Sequence, residues 1–419
     1  MINILDITIY YFKEINRGIN MYIKRVAILT GHYPPPFTAN AVRAYYMVKA
    51  LRKYGYDVIV IPLISSWSGR RIGFFGEEVI PPYTNVRSEL ERPSLFNRMR
   101  DLLIKQKDVN KLLDLINRYR ISRIIGTLPP IEAIPIASYI AEELNIPLVA
   151  DVQDLAEDYR IMERPYLYPF IRYYFRSVYS AMSKAELLLV TTEYMKEVVR
   201  ARVKLNNIVV IPNGADTSRY AECFKIRTHQ LQEPIAVFLG DLNWKYHNVD
   251  SFIKALKILN DHQKIKIYLK VIGTGRLLPE LKRLTKELNL YEQVKFYGYL
   301  RFEDLIPEMG KSTFAIAGRP ARDNLWIKTS MRLTIYEYLA CGLPVLAYGP
   351  PNSYTEYFIN KYKVGIYIGS DEPEEIACTI QEKLNELVNI NPREIINVAR
   401  QYSWDNIMDN FVEFVERAE

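Results

Sequence analysis

The sequence predicts an α/β protein with two parallel β-sheets, each covered by helices on both faces. Short apolar runs alternate with longer amphipathic runs along the chain, as in repeated βαβ units. The apolar runs are continuous rather than alternating, which is typical of strands buried on both faces. Residues 213–233 are polar, lack periodicity and separate two such arrays. We therefore expect two domains joined by a linker.

The first array follows residues 1–21, which are predicted to be an N-terminal extension. They lack the positive start and small-residue cleavage site of a signal peptide. Strands are predicted near residues 25–30, 57–63, 122–126, 147–151, 186–191 and 208–211. Helices are predicted near residues 40–53, 96–118, 132–144, 167–184 and 193–203. This array defines a first domain over residues 22–212.

The second array defines a domain over residues 234–401. Its strands are predicted near residues 235–240, 265–272, 293–297, 313–317, 344–348 and 364–368. Its helices are predicted near residues 249–261, 277–289, 302–310, 330–341, 353–361 and 373–388. Two further helices, near residues 392–401 and 404–417, follow no strand.

Composition excludes several classes of protein. A formal net charge of +7 over 419 residues is modest, and no basic run has the aromatic pattern of an RNA-binding sheet. No run of 18 apolar residues predicts a spanning helix. The three cysteines are far apart in sequence, so neither a disulfide framework nor a zinc knuckle is expected. The four histidines have no ligand spacing, so no metal is expected. A cytoplasmic protein fits these observations.

Residues 332–347, RLTIYEYLACGLPVLA, carry the most informative pattern. Gly342 suits the left-handed position just past a helix end, and Pro344 cannot continue the helix. Helix, glycine, proline and apolar strand form the return half of a βαβ unit. Its helix carries Glu337, and a carboxylate there suits the paired hydroxyls of a ribose. The alternative is a solvated glutamate on an amphipathic helix, because single motifs carry a false-positive risk.

Further motifs follow in a recognisable order. They read VAILTGHYPPPFTANAVRAYYMVKALRKYGYDVIVI, LVADVQDLAEDY, VVIPNGAD, VFLGDLNWKYHNVD, VIGTG and VKFYGYL, followed by EYLACGLPV. Together they resemble the retaining glycosyltransferases of the GT-B fold, in particular the family-4-like group (glycosyl transferases group 1). The resemblance covers residues 22–417 and is carried by seven motifs in family order.

The resemblance implies two Rossmann-like domains whose parallel sheets face a central cleft. The domain at residues 22–212 would bind the acceptor, with the C-terminal helix at 404–419 packing back on it. The domain at residues 234–401 would bind a nucleoside-diphosphate sugar, which is a co-substrate. The implied reaction moves a sugar to a glycan or lipid-linked saccharide with retention of anomeric configuration. No metal or other cofactor is expected.

The donor site is assigned residue by residue from the family motifs. The assigned residues are Glu337, Gly273, Gly275, Arg276, Lys328, Thr329, Ser330, Met331, Arg332 and Leu333. Cations before the Glu337 helix, together with its N-terminus, suit a diphosphate, although a solvated basic loop is the alternative. Thr329 stands where the family often has a first glutamate. Arg332 stands at a small or glycine position, where it either contacts phosphate or faces solvent.

A second departure lies in the VFLGDLNWKYHNVD motif. The family usually has an arginine after this glycine and a lysine shortly afterwards, both neutralising the leaving diphosphate. Asp241 replaces the arginine. Lys245 is assigned as the catalytic lysine, and His247 is the alternative because a one-residue insertion blurs the register. Arg276 or the loop cations could compensate for the lost arginine.

On the acceptor side, Gln153 stands where many relatives have a histidine. Asp154 is therefore assigned a catalytic role on acceptor or donor-sugar hydroxyls, the alternative being a helix cap or turn. The first loop and following helix contribute the acceptor-side residues Pro36, Phe37, Thr38 and Arg43.

Two other functions remain open. A sugar-nucleotide epimerase of the same fold is one, and a catalytically silent carbohydrate-binding subunit is the other. The segment Arg164–Arg176, RPYLYPFIRYYFR, also predicts weak attachment to the cytoplasmic face of a membrane. An aromatic helix packed within the first domain is the alternative for that segment.

Overall fold

The structure is a computed structural model that describes residues 24–34, 38–63, 74–80, 106–226, 233–263 and 265–417. The predicted extension at 1–21, the acceptor-side residues Pro36 and Phe37, and the first part of the helix predicted at 96–118 lie outside these ranges.

The first sheet contains seven parallel strands in the described part of the chain, in the order β3-β2-β1-β4-β5-β6-β7. These are β1 (Arg25–Thr30), β2 (Asp57–Pro62), β3 (Glu78–Val79), β4 (Arg123–Leu128), β5 (Leu148–Val152), β6 (Leu187–Val190) and β7 (Ile208–Val210). Strand β1 pairs with β2 on one side and β4 on the other. The strand order reverses there, and such switch points form crevices at the carboxyl ends of strands.

Helices cover both faces of this sheet. They are α1 (Ala39–Lys53), α2 (Gln106–Arg118), α3 (Ala133–Leu144), α4 (Ala156–Glu163), α5 (Tyr168–Met182) and α6 (Glu193–Val203). The strands are buried along almost their whole length, which explains their continuous apolar sequences.

The linker is more ordered than the sequence predicts. It contains the helix α7 (Thr217–Ile226), which corrects the expectation of a segment without periodicity. Its buried residues are Tyr220 and Cys223. Two apolar positions on one face are too few to produce a recognisable helical period.

The second sheet contains six parallel strands in the order β10-β9-β8-β11-β12-β13. These are β8 (Ile235–Leu239), β9 (Tyr268–Ile272), β10 (Val294–Gly298), β11 (Phe314–Gly318), β12 (Val345–Tyr348) and β13 (Gly365–Ile368). Its helices are α8 (Val249–Ile258), α9 (Leu278–Glu287), α10 (Phe302–Gly310), α11 (Leu325–Thr329), α12 (Leu333–Ala340), α13 (Tyr354–Tyr362), α14 (Pro373–Val388) and α15 (Pro392–Gln401). The switch point lies between β8 and β11. The predicted α/β class with two parallel sheets is confirmed.

The chain crosses between the domains twice, at neighbouring places. Ala215 donates from its backbone to Tyr402 and accepts from Trp404, at 3.0 and 3.1 Å. The last helix, α16 (Trp404–Arg417), then packs against α1 of the first domain, and both helices contribute to one buried cluster.

One cysteine expectation is wrong. Cys223 on α7 and Cys341 just after α12 form a disulfide, with their Cα atoms 5.0 Å apart. Their sequence separation of 118 concealed the pairing, because sequence distance says nothing about which helices pack together. Cys378 is free and exposed.

Candidate active site

A cluster of polar side chains lies where β8, β11 and α12 meet. Arg332 is the N-cap residue of α12. Its Nη2 donates to the Leu239 carbonyl at 3.0 Å, its guanidinium lies 5.0 Å over the Phe238 ring, and only 6% of the residue is exposed. The Nη1 atom is buried without a hydrogen-bond partner among the described residues. This side chain does not face solvent.

Arg319 follows β11 and extends toward the same place. Its guanidinium lies over the Tyr246 ring at 5.0 Å and the Trp326 ring at 4.9 Å. Its Nη1 is also buried, with no hydrogen-bond partner in the described ranges. Burial, followed by the neighbouring charge of Arg332, lowers the pKa of Arg319 to about 10. Burial also lowers the pKa of Arg332.

His247 completes the cluster from the short 3₁₀ helix Lys245–His247 after β8. Its Nδ1 is buried and, within the described chain, unpartnered. Burial, and then the charges of Arg332 and Arg319, hold the pKa of His247 well below its ordinary value. The ring therefore stays neutral at physiological pH.

Unsatisfied buried polar atoms are rare because each costs about 1–3 kcal/mol. Here all those in the described chain belong to the second domain, at position 247 and between positions 319 and 334. Within the described residues, the atoms without a partner are His247 Nδ1, Arg319 Nη1, Arg332 Nη1, Thr329 Oγ1, Ser330 Oγ and Thr334 Oγ1. Arg319 and Arg332 also line one cavity with Tyr348, Ser353 and Thr355. Two cations with unused donors have the charge and the hydrogen-bonding groups that suit a multiply charged anion.

Glu337 lies on α12, one and a half turns beyond Arg332. The residue is half-buried and forms a side-chain hydrogen bond with Tyr220 of α7. Burial raises the pKa of Glu337, while Tyr220 and the charges of Arg332 and Arg219 oppose that rise. The alternative of a fully solvated glutamate is therefore wrong. The ribose role stays a prediction.

The glycine turn after β9 packs against the loop after β8. Gly273 has φ +138°, and a Cβ there would lie 1.9 Å from the Gly240 carbonyl oxygen. Gly275 has φ +156° and would meet the Leu242 carbonyl carbon at 2.2 Å. Close approach of the protein's own backbone is thus enough to require both glycines. Arg276 donates from Nε to the Asn243 carbonyl at 2.8 Å, and its donor role stays a prediction.

Lys245 is not part of the cation cluster. Its side chain is 78% exposed, and its Nζ lies 3.8 Å from a carboxylate oxygen of Glu280. Lys245 thus points outward whereas His247 lies in the cluster, and the catalytic role of Lys245 stays a prediction. Asp241 accepts hydrogen bonds from the Asn243 backbone and the Trp244 indole, at 2.8 and 3.1 Å.

The other predicted donor residues divide into two groups. Arg332 carries an unused buried donor, and Thr329 and Ser330 have unpartnered buried hydroxyls in the described chain. Lys328 instead pairs with Asp323 at 2.6 Å. Met331 lies in the core of the second domain, and Leu333 packs against the first domain. The Met331 side chain is therefore unavailable to the donor, and the donor role of the backbone at Met331 and Leu333 stays a prediction.

Asp154 lies in the cleft where the domains meet. It accepts a hydrogen bond from the Trp326 indole of the second domain at 3.1 Å. Burial raises the pKa of Asp154 to about 6, although the Trp326 hydrogen bond and the Arg319 charge oppose the rise. Two further bonds close the cleft beside it: Thr192 Oγ1 to the Thr329 carbonyl, and Asn324 Nδ2 to the Asp158 carbonyl, at 2.6 and 3.2 Å.

Arg43 is wrongly assigned to the acceptor. Its side chain is fully buried, its Nη2 lies 2.7 Å from Asp151 Oδ1, and its Nη1 donates to the Pro212 carbonyl at 3.1 Å. It therefore ties the first domain to the start of the linker. Thr38 is exposed and caps α1 by accepting from the Ala41 N–H at 3.3 Å, and its acceptor role stays a prediction.

Gln153 belongs to the same internal network as Arg43. Its Nε2 donates to Asp151 at 2.8 Å, and its Oε1 accepts from Asn40 at 3.3 Å. The amide thus orients the buried Asp151 carboxylate. A histidine at this position, as in many relatives, would have to replace both bonds.

Sequence reasoning missed the position of Trp326 and ranked His247 second. The available signal concerned Arg332 and consisted of two departures from the family pattern that occur together. An arginine is absent after Gly240, and another stands at a glycine position, Arg332. A Cβ on Gly240 would lie 2.8 Å from Arg332 Nη2, so the second change delivers a guanidinium beside the position of the first.

Comparison with known proteins gives a consistent result. Residues 41–219 match Glycosyltransferase Family 4, and residues 221–401 match Glycosyl transferases group 1. No curated protein sequence matches the chain.

Three solved structures illustrate the structural similarity. A sucrose-phosphate synthase from Thermosynechococcus elongatus has a TM-score of 0.69 at 15% identity, covering 94% of this chain and 98% of that one. A glycosyltransferase from Rickettsia africae has a TM-score of 0.65 at 15% identity, covering 95% and 99%. The Anabaena protein HepE in complex with UDP-glucose has a TM-score of 0.64 at 16% identity, covering 94% and 99%. Such low identities support the fold alone.

The two family matches meet at the linker, so that each accounts for one of the two domains. Their order along the chain and the structural neighbours confirm the predicted GT-B fold. The chain belongs to the glycosyl transferases group 1, in the family-4-like group, and is a glycosyltransferase.

Proposed function

We propose that the enzyme transfers a sugar from a nucleoside-diphosphate sugar to a glycan or lipid-linked saccharide, with retention of anomeric configuration. The observation that carries the donor assignment is the pair Arg319 and Arg332, each of which has a buried Nη1 donor without a partner in the described chain. A diphosphate supplies the negative charge and acceptor oxygens that these groups lack. Glu337 on the same helix would bind the ribose hydroxyls.

The chemistry follows from where charge develops. As the bond from the sugar to the diphosphate breaks, negative charge grows on the leaving phosphate. Preorganised cations in a water-poor site stabilise that charge best. We propose that Arg319 and Arg332 supply this stabilisation from the protein, and that no metal is required. Attack on the same face of the sugar as the departing phosphate would give retention.

UDP-glucose is the first donor to test, because a structural neighbour was solved with it. In a thermal-shift screen with UDP-glucose, GDP-mannose and ADP-glucose, a donor at 100 times its Kd should raise the free energy of unfolding by about 2.7 kcal/mol. Calorimetry should then show weaker binding to Arg319→Met and Arg332→Met. Arg283→Met, which removes an exposed arginine of α9, is the matched control and should bind normally.

Product analysis separates the alternatives. Transfer, or slow donor hydrolysis without acceptor, identifies an enzyme, whereas binding without turnover supports a silent carbohydrate-binding subunit. Conversion to a sugar-nucleotide epimer would support an epimerase. The anomeric proton coupling of the product tests retention. If no nucleotide sugar binds, the donor proposal is wrong.

We also propose that the acceptor is met at the cytoplasmic face of an anionic membrane. The α5 aromatic surface, defined as Tyr166, Tyr168, Phe170, Arg172, Tyr173 and Arg176, lies on the exposed side of α5 and the turn before it, where Arg172 Nε also lies 3.5 Å from the buried Glu157 carboxylate. Its rings at Tyr166, Phe170 and Tyr173 are 73%, 71% and 75% exposed. The opposite face of α5 is buried, so one helix both packs and presents aromatic rings. No helix in the described ranges is long and apolar enough to cross a bilayer.

Vesicle flotation tests this surface. Each cation near anionic lipid contributes about 1 kcal/mol and is screened by salt. Arg172→Gln with Arg176→Gln should therefore reduce binding at low salt, whereas Phe170→Ser with Tyr173→Ser should reduce it at every salt concentration. Tyr291→Ser, at a 66% exposed ring in the second domain, is the control. Absence of the wild-type protein from anionic vesicles at low salt would favour an acceptor free in solution.

A further inference from the structure

His247 sits in the anion site without the partner that a buried imidazole normally has. Its ring lies 4.7 Å from the Tyr246 ring and 6.0 Å from the Phe238 ring, and its Nδ1 is buried and unpartnered in the described chain. Arg332 packs on the same Phe238 ring, with its guanidinium 5.0 Å from the ring centre. In a protein core, this nitrogen would normally form a hydrogen bond with a carbonyl or carboxylate group.

The charged groups that face His247 are cationic. Arg332 approaches from α12 and Arg319 from the loop after β11, and the positive charge of each lowers the pKa of the imidazole. On its own segment, Lys245 points outward to Glu280. Asp154 of the first domain acts on Arg319 and hydrogen-bonds Trp326.

The remaining nearby ionisable groups do not reverse this balance. Asp241, on the loop before His247, is exposed and holds the Trp244 indole. Tyr246, next to His247 in sequence, has a pKa raised by burial to about 12 and stays neutral. The empty site is therefore positive, and a third positive charge on the imidazole is unfavourable there.

We propose that His247 takes up one proton from solvent when a diphosphate binds between Arg319 and Arg332, and that the imidazolium becomes a third cation on the bound diphosphate. This inference rests on the proposed donor site. A bound diphosphate brings two negative charges, which offset the two arginine charges that disfavour the imidazolium and place an opposite charge beside the ring. An opposite charge within about 4–6 Å favours the charged form of a titrating group.

A simple division of labour follows. Before the donor binds, a neutral His247 adds no further positive charge beside the two arginines in a poorly hydrated site. After binding, the protonated ring adds a donor where a family member with lysine would carry a permanent charge. The proton makes the third charge conditional on the ligand.

The proposal predicts a linkage between pH and affinity. Between the pKa of His247 in the free enzyme and its raised pKa in the complex, the donor Kd should rise by up to about tenfold per pH unit. UDP-glucose is a suitable probe, because its diphosphate is esterified at both ends and has no proton that titrates near neutrality. Binding of any proton must therefore be to the protein.

The experiment is calorimetry of UDP-glucose binding to the full-length chain in buffers of different ionisation enthalpy, between about pH 5.5 and pH 8.5. Wild-type protein should take up close to one proton at the pH where the linkage is steepest. His247→Gln should bind more weakly with little uptake. Arg283→Gln, which changes an exposed arginine of α9 outside the donor site, should keep the uptake.

If His247→Gln fails to fold, ring-carbon NMR of the wild-type histidines gives the same information. The chain has four histidines, so His32→Gln, His229→Gln and His262→Gln assign the fourth resonance by elimination. Its titration should move to higher pH when UDP-glucose is added. Donor binding with no proton uptake, or uptake that persists in His247→Gln, would overturn the inference but leave the donor site intact. Failure of UDP-glucose, GDP-mannose and ADP-glucose to bind would overturn both.

Discussion

Arg332→Met should weaken donor binding without weakening the fold. The guanidinium is buried and makes one hydrogen bond, from Nη2 to the Leu239 carbonyl at 3.0 Å. That carbonyl also accepts from the Tyr338 hydroxyl at 3.4 Å, so it keeps a partner in the variant. Methionine fills a similar volume over the Phe238 ring. The variant therefore removes a buried charge that forms no ion pair within the described chain and has only the nearby charge of Glu337 to offset it.

The two expected effects have opposite signs. Replacing a poorly compensated buried charge with an apolar side chain should leave the free energy of unfolding unchanged or raise it by up to about 2 kcal/mol. Losing a charged hydrogen bond to the diphosphate should cost about 1.5–3 kcal/mol of binding. That cost corresponds to about a 10- to 150-fold increase in donor Kd.

Chemical denaturation without ligand measures the first quantity, and calorimetry with UDP-glucose measures the second. Arg43→Met is the matched control, because Arg43 is equally buried but is paired with Asp151 at 2.7 Å. It should lose about 3–5 kcal/mol of stability, since Asp151 would be left buried and uncompensated. An Arg332→Met protein that is strongly destabilised yet binds the donor normally would show that Arg332 has a structural role instead.

Three further predictions follow from the site. Lys245→Ala should leave turnover close to that of wild type, because the Lys245 side chain is 78% exposed and lies outside the cation cluster; a large loss of kcat would support its predicted catalytic role. Asp154→Asn should raise stability at pH 8 by about 2 kcal/mol, because burial raises the pKa of Asp154 to about 6 and the folded state is penalised where the carboxylate is charged. This advantage should be lost as the pH falls from about 6 to about 4. Equal effects of the substitution at pH 8 and at pH 4 in urea unfolding would contradict this. Glu337→Gln keeps an acceptor for the Tyr220 hydroxyl and should weaken the binding of UDP-glucose but not that of pyrophosphate. Calorimetry that shows equal losses of affinity for the two ligands would exclude the ribose role.

The sequence predicts the sheets well because burial on both faces leaves long, uninterrupted apolar runs. Strand β5 is buried at all five positions, so its apolar sequence makes the motif that follows it easy to locate. The helix α7 escaped prediction because it buries only Tyr220 and Cys223. Local sequence could not show that Tyr220 and Cys223 pack against α12 and its C-terminal end. There Tyr220 is the hydrogen-bond partner of Glu337, and Cys223 is the disulfide partner of Cys341.

The site was harder to predict because charge was reassigned among loops. A motif match locates Lys245 at the expected spacing, but one inserted residue decides whether Lys245 or His247 faces inward. Similarly, Arg43 looked like a ligand residue on the first helix. Only the fold reveals that Asp151, 108 residues away, already neutralises it.

The last prediction tests whether Arg332 replaces the arginine that the family usually has at position 241. Because a Cβ on Gly240 would lie 2.8 Å from Arg332 Nη2, a guanidinium entering from position 241 begins close to the present one. Arg332→Gly alone should weaken UDP-glucose binding, and adding Asp241→Arg should recover most of the loss. Asp241→Asn measures the separate cost of disturbing the bond to Trp244. In the resulting double-mutant cycle, the coupling should exceed about 1 kcal/mol; additive losses would mean that the two arginines serve different purposes.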